Sequence, residues 1–81
     1  MRVRVQLYAQ LRDLAGIHEL DIDLAEGSAI HDLLGILYAQ KPSLRAQDKS
    51  ILIGIGVEFV ERTYELKPGD DVSIMPPVQG G

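Results

Sequence analysis

The chain of 81 residues is 46% hydrophobic and carries a net charge of −4, from 12 acidic and 8 basic side chains. This length provides one small domain with a modest core and no room for a deep catalytic cleft. The absence of cysteine excludes disulfides, thiolate nucleophiles and thiolate metal ligands, and the acidic balance disfavours nucleic-acid binding. No apolar run reaches the roughly 20 residues of a membrane span and no leader precedes the first strand, so we expect a cytoplasmic protein without membrane contact.

Two segments near the start alternate between apolar and polar residues, which predicts half-buried strands. They cover residues 2–8 and 17–24, and residues 9–15 between them form a short helical turn. If the two strands pair antiparallel, the outward acids of the second face the outward Arg2 and Arg4 of the first. Such exposed pairs contribute only about 0.2–1 kcal/mol each, so they mainly fix the register. The outward acids are Glu19, Asp21 and Asp23.

The main helix is predicted between Ser28 and Pro42. Ser28 is a good N-cap, Asp32 in the first turn suits the helix dipole, and Pro42 disfavours helical geometry in the residue before it. Gly35 inside the helix costs about 1 kcal/mol relative to alanine. One apolar stripe runs along the helix with i, i+3, i+4, i+7, i+8 spacing, and its members are Ile30, Leu33, Leu34, Leu37 and Tyr38.

The second half of the chain predicts a polar connection, further strands and a tight turn. A third strand over residues 51–57 places Leu52 and Gly54 on one face and its isoleucines on the other. In the last strand, residues 71–75, Met75 lies on the face opposite Val72 and Ile74. The remaining segments are the connection at 42–50, short extended pieces at 58–60 and 63–66, and the turn at 67–70.

This order of elements predicts an α+β fold. A hairpin followed by a helix that crosses a mixed sheet of four to five strands is the plan of a β-grasp, ubiquitin-like domain, with the helix packed on one face. The first and last strands are the candidates for the centre of the sheet. We expect the domain to span residues 1–75 and an extended tail to span residues 76–81.

The tail reads Pro76-Pro77-Val78-Gln79-Gly80-Gly81. The two glycines carry no Cβ, so they pass through a channel that a larger residue would block. Pro76 and Pro77 stiffen the exit from the domain in an extended course. At about 3.3 Å per residue, the four residues after them reach roughly 13 Å. We predict that the α-carboxylate of Gly81 is the reactive group of this protein.

Three sequence blocks resemble the small subunit of molybdopterin synthase, a family of ubiquitin-like sulfur carriers. The segment from Tyr8 to Gly16 (YAQLRDLAG) is similar to its F-A-x-x-R-E-x-x-G block, residues 66–72 (LKPGDDV) to its L-x-x-G-D-E-V turn, and residues 76–81 to its P-P-V-x-G-G end. The resemblance covers the whole chain. The family often has Asn-Gly in the hairpin after the third strand, where this chain has Gly56 followed by Val57, and Gly56 can supply the positive φ of a tight turn.

The resemblance implies a division of labour in which the chain is not catalytic alone. An E1-like adenylyltransferase would use ATP and Mg²⁺ to activate Gly81, a persulfide sulfur donor would convert it to a thiocarboxylate, and the large subunit of molybdopterin synthase would pass the sulfur to a cyclic pyranopterin precursor. Gly80 would be needed together with Gly81 for threading and acyl chemistry. We expect no stably bound cofactor, and we expect partner contacts from Leu52, Met75, Pro76, Pro77 and Val78.

Other interpretations of these residues stay open. The same tail suits a sulfur carrier for thiamine biosynthesis or a ubiquitin-like modifier that forms isopeptide bonds to lysine. An RNA-contacting module is disfavoured because the chain lacks a basic and aromatic patch. His18 and His31 lie far apart without cysteine companions, so we predict no metal site. Asp70 and Asp71 are interpreted as turn residues rather than as a catalytic pair.

Overall fold

The computed structural model describes residues 1–77. It contains five strands, two α-helices and one 3₁₀ helix. The strands are β1 (Arg2–Leu7), β2 (Glu19–Asp23), β3 (Leu52–Ile55), β4 (Glu58–Phe59) and β5 (Asp71–Met75). The α-helices are α1 (Gln10–Ala15) and α2 (Ile30–Gln40), and the 3₁₀ helix covers Pro42–Gln47. No helix within residues 1–77 is both long and apolar enough to cross a membrane.

The strands form one mixed sheet in the order β2-β1-β5-β3-β4. The first and last strands lie next to each other at its centre and run parallel, with Val5 opposite Val72 and Leu7 opposite Ile74. Their outer neighbours, β2 and β3, both pair antiparallel. The predicted α+β, β-grasp architecture, with the terminal strands central, is confirmed.

The helix α2 covers one face of the sheet, and the core fills the space between them. Every member of its predicted apolar stripe is at most 6% exposed. These side chains pack against the inward side chains of the sheet, among them Val3, Val5, Ile22, Val72 and Ile74, which are at most 2% exposed. The opposite face of the sheet, here called the open face, carries no helix from residues 1–77.

The pairing of β1 with β2 has the predicted register. Arg2 lies opposite Asp23, and Arg4 lies opposite Asp21. The Arg2 Nε and Asp23 Oδ1 atoms are 3.0 Å apart, and the Arg4 Nε atom lies 3.3 Å from Glu19 Oε2 and 3.5 Å from Asp21 Oδ1. All of these side chains are at least 40% exposed, so the pairs fix the register more than they stabilise the fold.

The predicted N-cap of α2 is wrong by one residue. The cap is Ala29, and its own N–H donates to the Asp32 carboxylate at 2.9 Å. A capping hydroxyl is not required, because the backbone carbonyls of Tyr64 and Arg62 accept the first free amides of the helix, those of Ile30 and His31, at 3.0 Å each. A segment distant in sequence therefore takes over the role that Ser28 was expected to fill.

The predicted polar connection at residues 42–50 contains the 3₁₀ helix. Pro42 occupies its first turn, where a missing N–H costs nothing. The reason for the ordered turn is Leu44, which is 3% exposed within the core. Burial of such a side chain contributes about 1.5–3 kcal/mol, which outweighs the polar character of its neighbours.

The predicted third strand ends two residues early. Ile55 pairs with Glu58, so Gly56 and Val57 form a two-residue hairpin loop. Gly56 has φ +60°, whereas Val57 does not have a positive φ. A glycine with positive φ at the first of two central positions is the requirement of a type II′ hairpin turn. The expectation that Gly56 supplies the positive φ is confirmed.

Two glycines provide a matched test of backbone conformation. A Cβ built on Gly35 in α2, or on Gly16 after α1, would meet no described atom within 4 Å, so neither site lacks space. They differ in φ, which is +75° at Gly16.

We expect Gly35→Ala to raise the free energy of unfolding by about 1 kcal/mol, because alanine favours the helix. We expect Gly16→Ala to lower it by about 1 kcal/mol, because a Cβ strains that conformation. Urea denaturation measures both, and equal effects in the same direction would contradict the assigned backbone.

Candidate functional site

Leu52 and Met75 lie side by side on the open face. They are opposite each other in the β3–β5 register, and the next pair, Ile53 with Ile74, points into the core. Because side chains alternate along a strand, Leu52 and Met75 are directed away from α2. Both are partly exposed. The sequence-based expectation that they share the face opposite the helix is confirmed, whereas their role in partner contact stays a prediction.

Gly54 and Phe59 extend this apolar surface. Phe59 lies opposite Gly54 in the β3–β4 pair and is 69% exposed. A Cβ on Gly54 would lie 3.4 Å from the Met75 Cε atom and 3.4 Å from the Glu58 carbonyl oxygen, so the Met75 methyl group lies across this glycine. We name Leu52, Gly54, Phe59 and Met75 the apolar patch. Exposed apolar surface of this kind on a small domain is typical of an interaction site.

Tyr8 borders the apolar patch on the β1 side. Its amide donates to the Ile74 carbonyl at 3.2 Å, which places it beside the end of β5. Its hydroxyl donates to the Gln6 side-chain oxygen at 2.8 Å on the open face, and 42% of the residue is exposed. The following residue, Ala9, has φ +52° and turns the chain from β1 into α1. Tyr8 and Phe59 thus join the surface that the sequence assigned to Leu52, Gly54 and Met75.

The tail begins where the apolar patch ends. Strand β5 stops at Met75, and Pro76 and Pro77 follow it with partly buried side chains. Their position is consistent with the predicted partner contact but does not test it. The other predicted tail residues, Val78, Gly80 and Gly81, lie outside the described residues.

A groove of about 420 Å³ opens next to the apolar patch, between the start of β3 and residues 59–63. Leu52 and Phe59 belong to both the groove and the patch, and Arg62 lines its far side. The two chain segments diverge here because residues 62–64 leave the sheet to bond with the first turn of α2. The apolar patch therefore borders a recess, a combination that suits an anchoring side chain of a partner.

Three side chains hold the wall of this groove in place. The Asp48 carboxylate accepts a hydrogen bond from the Tyr38 hydroxyl at 2.5 Å and one from Arg62 Nη1 at 2.7 Å. Arg62 also donates to the Asp48 carbonyl, and the Arg45 guanidinium lies 5.5 Å from the centre of the Tyr38 ring. The sequence analysis missed this network, because its members are separated by 10 and 14 residues and form no motif.

The network shifts the pKa values of all three of its side chains, and the hydrogen bond to Asp48 raises that of Arg62. The hydrogen bond from Tyr38, followed by that from Arg62, lowers the pKa of Asp48 below its ordinary value of 3.8. Burial, together with the hydrogen bond to Asp48, raises the pKa of Tyr38. Asp48 is therefore ionised and Tyr38 neutral at neutral pH, which is the state in which the hydroxyl donates and the carboxylate accepts.

The other candidate residues are accounted for by local contacts. His18 and His31 are both largely exposed, and each lies near the acid that follows it in sequence. Asp70 accepts the Lys67 amide at 2.9 Å and the Tyr64 hydroxyl at 3.1 Å, which confirms its role as a turn residue. Within residues 1–77, no three side chains of the His, Cys, Asp and Glu types are grouped closely enough to hold a metal ion.

The pKa of Asp48 predicts a response to acid. Because folding lowers this pKa, the ionised carboxylate stabilises the fold at neutral pH, and the contribution is lost as the pH falls below 3.8. We expect Asp48→Asn to lower the free energy of unfolding near pH 7 by about 1 kcal/mol, after allowance for partial exposure. Between about pH 7 and pH 3, the variant should lose less stability than the wild type in urea denaturation.

The matched control for this prediction is Asp13→Asn. Asp13 is exposed on α1, and its nearest cation, Arg12, lies 3.9 Å away. This variant should keep both the neutral stability and the acid response of the wild type. An Asp48→Asn variant that loses as much stability in acid as the wild type would contradict the role assigned to the network.

Comparison with known proteins identifies relatives over the full length. The molybdopterin synthase sulfur carrier subunit of Chlamydomonas reinhardtii is 34% identical over 83 residues, and the alignment covers 100% of both chains. A Pyrococcus furiosus protein assigned to molybdopterin converting factor subunit 1 has a similar structure, with a TM-score of 0.87 at 30% identity, over 96% of this chain and 99% of that chain.

A solved structure with a different description is also similar. It is the small archaeal modifier protein 1 of Methanosarcina acetivorans, with a TM-score of 0.78 at 32% identity, over 99% of this chain and 96% of that chain. The family match covers residues 5–81, which include the second half of β1, the remaining strands, the apolar patch and the Gly-Gly pair. This chain belongs to the ThiS family.

Proposed function

We propose that this protein is the sulfur-carrier subunit of a molybdopterin synthase. The observation that carries the proposal is the full-length similarity to a molybdopterin synthase sulfur carrier subunit, together with the β-grasp fold that ends in Pro76, Pro77 and the Gly-Gly pair. Among residues 1–77, no group of His, Cys, Asp and Glu side chains is arranged to hold a metal ion. The protein's task is to carry a reactive group, and its partners supply the catalytic side chains.

The proposed chemistry takes place at the α-carboxylate of Gly81. This oxygen attacks the α-phosphorus of ATP on an E1-like adenylyltransferase with Mg²⁺, which gives an acyl-adenylate and releases pyrophosphate. A persulfide sulfur then attacks the acyl carbon and expels AMP, which leaves an acyl disulfide. A thiol attacks the donor's sulfur in that acyl disulfide, so that the thiocarboxylate leaves and a disulfide forms between the thiol and the donor. The large synthase subunit transfers that sulfur to a cyclic pyranopterin monophosphate. The requirement for ATP fits a cytoplasmic location.

The geometry supports a separation of docking from chemistry. The apolar patch lies directly before Pro76, so a partner that covers the patch also receives the start of the tail. A rigid sheet that is bound next to a short tail restricts the positions that the terminal carboxylate can sample. This positioning is a general source of rate enhancement, because it replaces a bimolecular encounter with a local one.

Met75→Asp tests the docking role of the apolar patch. We expect a charge at this partly exposed position to weaken binding to the large synthase subunit at least about tenfold, since burial of an unpaired carboxylate in an interface is costly. Isothermal titration calorimetry measures the affinity, and thermal unfolding checks that the domain stays folded. Leu14→Asp is the matched control, because Leu14 is 43% exposed on α1, outside the open face. An unchanged affinity of Met75→Asp would reject the assignment.

An added residue tests the role of the tail. We expect one alanine placed after Gly81 to abolish molybdenum-cofactor synthesis in cells that depend on this protein, because the activated carbonyl would then carry a Cβ beside it. The activity of a molybdenum-dependent enzyme reports the loss. The same extension should leave affinity for the large subunit within a few fold of wild type, since the apolar patch is intact. Full cofactor synthesis by the extended protein would contradict the proposal.

A second function is favoured by one comparison. The similarity to a small archaeal modifier protein supports use of the same activated Gly81 for isopeptide bonds to lysine. The two functions share the adenylate and differ in the nucleophile that takes the acyl group. Tryptic digests of total protein separate them, because conjugation leaves a C-terminal fragment of this chain on acceptor lysines, whereas sulfur transfer leaves none.

A further inference from the structure

The open face has a second part, at the β1–β2 side of the sheet. It is formed by charged residues that alternate outward from three adjacent strands. Four carboxylates and two guanidinium groups meet here. We name the carboxylates the acidic strip, and they belong to Glu19, Asp21, Asp23 and Asp71. The open face is thus apolar next to the tail and charged away from it.

The two arginines do not neutralise the acidic strip. Arg4 lies between Asp21 on β2 and Asp71 on β5 in the register, and its nearest carboxylate is that of Glu19 at 3.3 Å. Asp71 accepts hydrogen bonds from the neutral amide of Gln6, at 3.4 Å to each carboxylate oxygen. Two positive charges among four negative ones leave an excess of two negative charges on this part of the face.

The excess contributes little to the stability of the domain. The charged side chains in its ion pairs are 40–75% exposed, and such pairs contribute little to stability. A hollow of about 360 Å³ opens beside Arg4, lined by Arg2, Arg4, Asp21, Gly69, Asp70 and Asp71. Three carboxylates and two guanidinium groups line it, which leaves one net negative charge and room for the end of a long side chain. A negative hollow of this kind attracts lysine or arginine.

We propose that the open face docks onto a protein surface with an apolar centre that is bordered on one side by lysine or arginine side chains. The apolar centre covers the apolar patch, and the basic border meets the acidic strip. The acidic strip runs across β2 to the start of β5, whereas the apolar patch lies on β3, β4 and the end of β5. Because the two parts are offset in this way, the charge sets the orientation, and this orientation directs the tail toward the partner. This inference rests on the proposed function, in which the partner is the large synthase subunit.

The experiment is the rate of association with that large subunit, measured by stopped-flow fluorescence over a range of salt concentrations. The double variant Asp21→Asn with Asp71→Asn removes two charges and leaves Arg4 beside Glu19. We expect its association rate to fall about tenfold at low salt, since electrostatic steering contributes factors of about 10–10³. The difference should vanish near 1 M salt, where the screening length is about 3 Å.

Two further variants make the result specific. Asp13→Asn with Glu26→Gln changes the net charge equally, on α1 and in the loop before α2, and should associate within about twofold of the wild type. Arg2→Gln removes a positive charge from beside the acidic strip, so this part of the open face becomes more negative and association should accelerate. Thermal unfolding confirms that each variant is folded.

The outcomes separate the inference from the proposed function. Equal association rates for the wild type and the Asp21, Asp71 double variant, or equal slowing in the Asp13, Glu26 control, would overturn the charged docking surface. Failure of wild-type protein carrying a thiocarboxylate to deliver sulfur to the precursor through the large subunit would instead overturn the proposed function, whatever the association rates.

Discussion

The parallel pairing of β1 with β5 is the constraint on which the rest of the structure depends. It brings the first and last strands of the domain together at the centre of the sheet, with Val5 opposite Val72 and Leu7 opposite Ile74. Because both strands are buried on the α2 side, a slip of one residue would reverse every side chain between core and solvent. The register therefore fixes the face on which Met75 lies and the place where the tail leaves the domain.

This arrangement separates the tasks of a carrier protein. The core side of the sheet is covered by α2, and the open face presents an apolar patch next to the tail and an acidic strip at the far side. Stability depends on the covered face, and the proposed function assigns recognition to the open face, so we expect substitutions on the open face to change partner affinity without unfolding the domain. The Asp48 network ties the chain after β4 to α2 and the 3₁₀ helix, so it supports both the fold and the wall of the groove beside the apolar patch.

Local patterns in the sequence predicted most of the fold, whereas contacts between distant segments were beyond them. Alternation and helical spacing gave the strands and α2, since each depends on neighbouring residues. Ser28 lost its capping role because the carbonyls of Tyr64 and Arg62 reach the helix from the other half of the chain. Leu44 ordered a segment whose composition is polar. Phe59 is the single phenylalanine, and its alternation with Glu58 is a local pattern that could have indicated its place on the sheet. The Asp48 network has no such local pattern.

The most direct test of the central claim is the intact mass of this protein isolated from cells that make molybdenum cofactor. The proposed chemistry predicts a fraction whose mass differs from the encoded chain by the exchange of one oxygen for one sulfur, with fragmentation placing the change at Gly81. Cells without the activating enzyme should yield the unchanged chain. Unmodified protein in every cell type, or sulfur at another residue, would contradict the claim that the terminal carboxylate is the reactive group.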